Sequence, residues 1–352
     1  MKLRERTAKF TSRFGIELPI MNAPMFGVTT PEMVAAVSNA GGLGVLAADF
    51  LTAEEIGSAV DQVRQRTKRP FAVNLRIPVK TDEKGVSSLT EALSDLRQEL
   101  GCEERSLSPD FEEQFEAVLQ KDIPILRVCF GGLRELYADK LKEKGVLVIG
   151  AATTLREAKV QRSAGADAVV VQGAEAGGPR LSFEDSDEVL VGLMSLTELA
   201  ARATQLPVIA SGGIASARQM AGALMLGASA VEVGTYLVRT KESAMQGIYE
   251  EALEFASETS PRSTRLISGR LTRAVPSGLI EALKAADVSP ISYPVQYECM
   301  RPIFQAAKTL SRADLADLSC GTSIPVRPPV ETKEAICTLW SQCRQLLTEE
   351  FE

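Results

Sequence analysis

No histidine occurs among the 352 residues of this chain. The imidazole that most often moves protons near neutral pH is therefore excluded from any mechanism. The six cysteines, at positions 102, 129, 299, 320, 337 and 343, form no Cys-x-x-Cys pair. With no histidine to join them, no metal site is expected, and they read as the reduced thiols of a cytoplasmic protein. No apolar run approaches the roughly 20 residues that span a bilayer, so no membrane partner is expected. The opening MKLRERTAKFTSRFG carries charge but no apolar core, unlike a secretory signal. Positive charge is also in short supply. Lys and Arg number 39 against 46 Asp and Glu, giving a net charge of −7, and no basic stripe stands out. A nucleic-acid partner is not expected.

What is present is an ordinary globular composition, 45% hydrophobic and 24% charged, in a chain long enough for one large core. Short apolar runs alternate with helical patterns, the sequence form of repeated βα units. The expected strands are 19–25, 43–48, 71–77, 125–131, 146–151, 168–173, 207–213 and 230–238. Eight parallel strands with interleaved helices predict an α/β fold, a closed (β/α)8 TIM barrel. Helix starts are marked by Thr30-Pro31, by the capping-box pattern Thr52 to Glu55, by Thr154 and by Ser216. Helix ends are marked by Gly41-Gly42, Gly165 and Gly227. Two stretches break the rhythm. A charged insertion, 78–110, is expected as a loop or short helix over the barrel mouth. Residues 239–296, after strand eight, are expected to form a small, mostly helical capping domain. The barrel domain would then comprise 1–238 and 297–352.

Barrels of this kind carry their active sites at the C-terminal ends of the strands. Strand one ends in Asn22-Ala23-Pro24-Met25, strand three in Asn74-Leu75-Arg76 and strand six in Gln172-Gly173. Strand seven ends in Ser211-Gly212-Gly213, before a helix from Ser216, and strand eight carries Gly234-Thr235. Glycines there let the backbone close on a phosphate, and the next helix N-terminus favours its charge. Asn74 and Gln172 could meet the polar edge of a flat heterocycle or satisfy neighbouring backbone groups. Met25 could lie against a ring face or fill the core.

The segments NAPM at 22–25, AGGLGVL at 40–46, FAVNL at 71–75, GADAVVVQGAEAGG at 165–178, VIASGGIAS at 208–216 and GASAVEVGTYLVRTKES at 227–243 resemble the nitronate monooxygenases, once called 2-nitropropane dioxygenases. TRLISGRLTRAVPSG at 264–278 and YPVQ at 293–296 add to the likeness. The resemblance implies an FMN-dependent oxidoreductase with a TIM barrel and a small helical second domain. It implies that Ala23, Pro24 and Met25 line the flavin, with Asn74 and Gln172 on its polar edges. Gly177, Gly178, Ser211, Gly212, Gly213, Gly234 and Thr235 would hold the phosphate and ribityl chain.

One departure stands out. The family loop reads Gly-x-Glu-Ala-Gly-Gly-His, and the position of that expected base is here Pro179. The late Gly-Gln of the family is here Gly321-Thr322. A neutral nitroalkane must lose a carbon-bound proton to a positioned base, whereas a nitronate has already lost it. The expectation is oxidation of an anionic nitronate by O2. Arg180 could hold an anionic group, and Glu184, Asp185 and Asp187 are either bases or a solvated surface run. Glu175 reads as structural. The same departure leaves two other readings open: a specialised flavin enzyme, such as a FabK-type enoyl reductase using NAD(P)H or an oxidase or isomerase of a specialised metabolite, and a catalytically retired FMN-binding protein.

Overall fold

The computed structural model describes residues 2–186, 189–325 and 329–349. Eight parallel strands form the ring: β1 (Ile20–Asn22), β2 (Gly44–Ala47), β3 (Phe71–Arg76), β4 (Ile125–Cys129), β5 (Leu147–Ala152), β6 (Ala168–Gln172), β8 (Val208–Ser211) and β9 (Ala230–Val233). A two-residue strand, β7 (Gly178–Pro179), lies outside the ring. The ladder runs β1-β9-β8-β6-β5-β4-β3-β2. A bridge between Met21 and Leu43, with the Asn22 side chain bonding both the N–H and the C=O of Val45, joins β1 to β2 and closes it. All eight expected strands are present; seven end earlier than expected, and β5 runs one residue further, to Ala152.

Side-chain alternation divides the barrel into an inside and an outside. Ala72, Ile125, Ile149, Ala168, Val170, Ile209 and Ala230 share one core inside the ring with Phe10 and Phe14. Those phenylalanines belong to the helix Leu3–Phe14, which covers the lower end of the barrel. Outward-facing Val169, Val171, Val208, Val231 and Val233 pack under the surrounding helices. Moving two residues up each strand, the inward positions change character: Asn74, Arg127, Gln172, Ser211 and Glu232. A polar layer thus lies on an apolar one.

The helices begin where their caps dictate. Thr30 accepts from the N–H of Met33, Thr154 from Glu157 and Ser216 from Gln219. At Thr52 and Glu55 both bonds of the capping box form, at 3.2 and 2.8 Å. The helix Thr332–Glu349 supplies the eighth outer helix, and Tyr236 just after β9 donates to its Ala335 carbonyl at 3.0 Å.

Two stretches stand outside the βα repeat. The charged insertion forms the helices Val86–Ala92 and Ser94–Leu100, tied to the helix Val295–Thr309 by Arg105 to Glu298 at 2.6 Å and by Arg97 to the Cys299 carbonyl at 3.0 Å. Residues 239–296 contain the helices Gln246–Leu253 and Gly278–Ala285. They also contain a hairpin, β10 (Arg262–Thr264) and β11 (Thr272–Ala274), in a stretch expected to be mostly helical. β11 pairs with β7, so a three-stranded antiparallel sheet fastens this cover to the loop after β6.

Gly44 shows how closely β2 meets its helix. A Cβ there would lie 2.1 Å from the Val34 carbonyl oxygen and 2.8 Å from Ser38 Oγ. Gly44→Ala is expected to cost about 3 kcal/mol or more in urea denaturation. Gly222→Ala, where a Cβ meets nothing within 4 Å, should instead be neutral or stabilise by about 0.5–1 kcal/mol.

Candidate active site

The C-terminal ends of the strands enclose a cavity of about 590 Å³. All twelve residues expected to hold a cofactor border it: Ala23, Pro24, Met25, Asn74, Gln172, Gly177, Gly178, Ser211, Gly212, Gly213, Gly234 and Thr235. Pro179 borders it as well.

One end of the cavity is made of backbone. The N–H groups of Gly212, Gly213, Gly234 and Thr235 meet no acceptor among the described residues. Gly212 and Gly213 have φ of 113° and 66°, where other residues are strained, and a Cβ at Gly212 would sit 2.9 Å from the Ala176 Cβ. Gly177 is crowded in the same way, a Cβ there lying 2.5 Å from the backbone of Cys320 and Gly321. That late segment is bonded into the cradle, Gly321 N–H to Thr235 Oγ1 at 2.9 Å and Thr322 N–H to the Glu175 carbonyl at 3.0 Å. Free N–H groups on glycine turns suit an anion such as a phosphate.

The floor is a buried polar network. Arg127 and Glu232, on β4 and β9, pair through two bonds of 2.9 and 3.1 Å, each side chain 2% exposed. Arg127 also donates to Asn74 Oδ1 at 2.6 Å, and Ser211 donates to Glu232 at 2.9 Å. Asn74 in turn donates to both oxygens of Asp49, at 2.7 and 2.9 Å. Burial pushes the Asp49 carboxyl above the ordinary carboxylate range, against the hydrogen bonds from Asn74 and the charges of Arg127 and Arg76. The Cys129 thiol, 3.5 Å from Asp49, is pushed up by the same burial. A second acid, Asp317, borders the cavity and accepts from the Ser319 N–H and hydroxyl at 3.0 and 2.7 Å. Burial raises it too.

The loop after β6 is clamped by its own side chains. Gln172 donates to the Pro179 carbonyl at 3.1 Å and accepts from the Leu181 N–H at 3.0 Å, leaving one N–H and one lone pair for another partner. Arg180 is buried and turned away from the cavity, donating to the carbonyls of Gln172 and Gly173 at 3.3 and 2.7 Å. Asp185 pairs with Arg265 at 2.7 Å on the outer side, and Glu184 is exposed. Neither Arg180, Glu184 nor Asp185 borders the cavity; Asp187 lies outside the described residues. Glu175 accepts twice from the Leu193 N–H and so caps the next helix.

Sequence reading passed over Arg127, Glu232, Asp49 and Asp317. Two of them had a signal: a charge inside an apolar strand, ILRVC and AVEV, at the inward-facing step.

The nitronate monooxygenase family model matches residues 7–341. The chain belongs to this family. A probable nitronate monooxygenase of Staphylococcus aureus strain JH9 is 33% identical over 323 residues, covering 90% of this chain and 91% of its own length. That of strain MSSA476 is 31% identical over 347 residues, covering 96% and 98%. Among solved structures, a nitroalkane oxidase from Streptomyces ansochromogenes superposes with a TM-score of 0.87 at 30% identity, covering 97% of this chain and all of that one. FabK from Thermotoga maritima gives 0.77 at 25%, covering 97% of each. Family membership makes this chain an oxidoreductase enzyme of a flavin-dependent type acting on small molecules. Among the described residues no helix is long and apolar enough to cross a membrane, and no cluster of side chains could hold a metal ion.

Two outcomes follow for the acids and their partners. Arg127→Met should cost roughly 3–5 kcal/mol in denaturant unfolding by leaving Glu232 buried and unpaired, while Arg127→Met with Glu232→Leu should recover much of it. A carboxyl raised on folding is protonated more readily in the native state, so stability falls as pH rises from the unfolded value through the raised one. Asp317→Asn, which keeps an acceptor for Ser319, should match the wild type at low pH and exceed it above that window. Urea midpoints from about pH 4 to about pH 8 measure this.

Proposed function

We propose that the chain binds FMN in this cavity and uses it to oxidise a preformed, anionic nitronate-like substrate with O2. The observation that carries the reading is Pro179, standing in the family loop beside an otherwise complete cradle. The four free N–H groups and the close-packed glycines fit a phosphate and ribityl chain, held by Gly177, Gly178, Ser211, Gly212, Gly213, Gly234 and Thr235. Ala23, Pro24 and Met25 would flank the ring, with the spare N–H and lone pair of Gln172 and the Asn74 amide at its polar edges. Bound there, FMN would supply the two-electron acceptor and the reaction with O2.

The protein's own contribution is binding, orientation and the exclusion of water. Proline carries no exchangeable proton on its ring or backbone nitrogen, and its carbonyl is already bonded to Gln172. Glu232 and Asp49 are tied into the floor network. A substrate that arrives deprotonated needs none of them as a base. Residues 239–296, fastened to the 178–179 edge, would form the substrate-capping domain. All six cysteines are free thiols, which suits a reducing, cytoplasmic setting.

The likeness to FabK favours a second reading, reduction of an enoyl substrate by NAD(P)H. The test is anaerobic mixing of the FMN-loaded protein with a preformed alkyl nitronate while the flavin absorbance is followed. Bleaching by the nitronate, with a much slower response to the neutral nitroalkane, is expected. Equal rates for the two would overturn the reading, and no bleaching except by NAD(P)H would move the assignment to a reductase. No response to any donor would leave a retired FMN-binding protein. Pro179→His should raise turnover of the neutral nitroalkane on the order of tenfold or more.

A further inference from the structure

Four acids border the cavity: Asp49, Glu55, Glu232 and Asp317. Three of them are committed. Glu232 pairs with Arg127, Asp49 accepts twice from the Asn74 amide, and Glu55 accepts from the Thr52 N–H in its capping box. Asp317 is held on one side only. Its Oδ1 takes both bonds from Ser319, and its Oδ2 has no hydrogen bond and no ion pair among the described residues. The residue is half-buried, and that second oxygen is accessible instead of sealed in.

The elements packed around Asp317 bring it no compensating cation. On β11, Arg273 donates to the Ala174 carbonyl at 3.1 Å. On the preceding turn, Arg312 and Asp314 pair with each other at 2.7 Å. Arg301, on the helix Val295–Thr309, is bonded to the Phe50 carbonyl and to Ser106. Facing Asp317 are two phenols that also border the cavity, Tyr249 and Tyr297. Burial first, and then the Asp317 charge, push both hydroxyls up, so they stay protonated. Burial likewise raises the Asp317 carboxyl, opposed only by the bonds from Ser319. A carboxyl so raised comes nearer to neutral pH, where a general base works best, and an acid in that state lining a cleft suits proton transfer.

Its support is shared with the loop that carries Pro179. On β11, Pro179 pairs with Thr272 and Ser319 bridges Ala274. The strand β10 occupies the other edge of β11 along these residues. Pro179 and Ser319 therefore follow one another along a single edge, two residues apart, about 7 Å by strand rise. The segment that holds Asp317 and the loop that lacks an imidazole thus meet one cavity from a common rail.

We propose that Asp317 is the general base that takes the carbon-bound proton of a neutral nitro compound, the role Pro179 cannot fill. The C–H bond breaks and its electron pair forms C=N, placing the negative charge on the nitro oxygens. The Oδ2–H bond forms, and that proton leaves to water before the next substrate. The product of the step is a nitronate, and because this step precedes electron transfer, the neutral compound stays slower than its nitronate. The proposal rests on the reading above only in taking a nitro compound into this cavity; proton removal itself requires no flavin chemistry.

Loss of the α-proton signal of nitroethane in D2O, followed by NMR with the FMN-loaded protein under anaerobic conditions, tests it. Wild type is expected to exchange these protons faster than buffer, and Asp317→Asn to lower the protein-dependent rate on the order of tenfold or more. The ratio of flavin bleaching rates, nitroethane over ethyl nitronate, should fall by a similar factor; a purely structural loss would lower both and leave the ratio. Exchange no faster than buffer, or an exchange rate or ratio unchanged in Asp317→Asn, overturns the proposal. Should that variant not fold, the wild type decides by its pH profile. Protein-dependent exchange should rise with pH to a plateau as the carboxylate forms, and a rate that falls or keeps rising with hydroxide overturns it. Asp317-dependent exchange without bleaching by nitronate would sink the oxidation reading and keep the base. Bleaching by nitronate with exchange indifferent to Asp317 would do the reverse.

Discussion

Arg127 and Glu232 meet across the axis of the barrel. In the ring order their strands, β4 and β9, stand opposite one another, four places apart in either direction. Their two hydrogen bonds therefore span the mouth instead of linking neighbours, and Asn74 and Ser211 extend the connection to β3 and β8. Below this belt the inward residues are aliphatic, and above it lies the cavity. A buried pair of this kind is weak evidence for stability, because two desolvated ions offset much of their own attraction. Its consequence is positional. Four strand ends are fixed relative to one another, so the glycine turns that leave β8 and β9 present their N–H groups at one place.

The loop after β6 depends on that placement. Gln172 starts one step along the ring from Ser211, with which it is in register, and its amide folds back to bond Pro179 and Leu181. Proline suits the two-residue β7 because an edge strand can leave one N–H site empty. With the ring of Pro179 at the cavity and the Arg180 side chain drawn beneath the loop onto two carbonyls, the loop holds its shape without an imidazole. Backbone and amide bonds thus set the shape of the loop, with Pro179 at the cavity.

Such local bonds also decide what could be read from the sequence. The strands were legible because runs such as AVVVQ and FAVNL are apolar, bounded by turn residues and repeated at the βα period. The helix starts were legible because Thr30, Thr52, Thr154 and Ser216 are caps with a local mechanism. The cavity-lining positions followed from strand ends and glycines. The hairpin 262–264/272–274 was not legible: its strands are three residues long, and Arg262 and Ser263 are exposed, so no alternation marks them. Nor could the chain direction show that Arg180 folds back onto the carbonyls of Gln172 and Gly173, or that Asp185 is committed to Arg265, which comes from outside the loop.

The origin of these parts explains why family membership and substrate choice come apart. The cradle and floor are built from the barrel strands and the turns that leave them. The roof is built from Phe26 and Phe50, which follow early strands, from Phe130, and from Tyr293 and Arg301 beyond the last barrel strand. A barrel of this kind can thus keep its floor while the roof changes its charge and width. In this chain the roof carries Arg301 over the rings of Phe26 and Phe50, although the whole molecule has a net charge of −7. Exposed acids are screened by salt within about 8–10 Å, whereas guanidinium groups enclosed among aromatic rings are not. A ligand that has reached the mouth meets the local field of Arg301, opposite in sign to the surface, only after it has left the solvent.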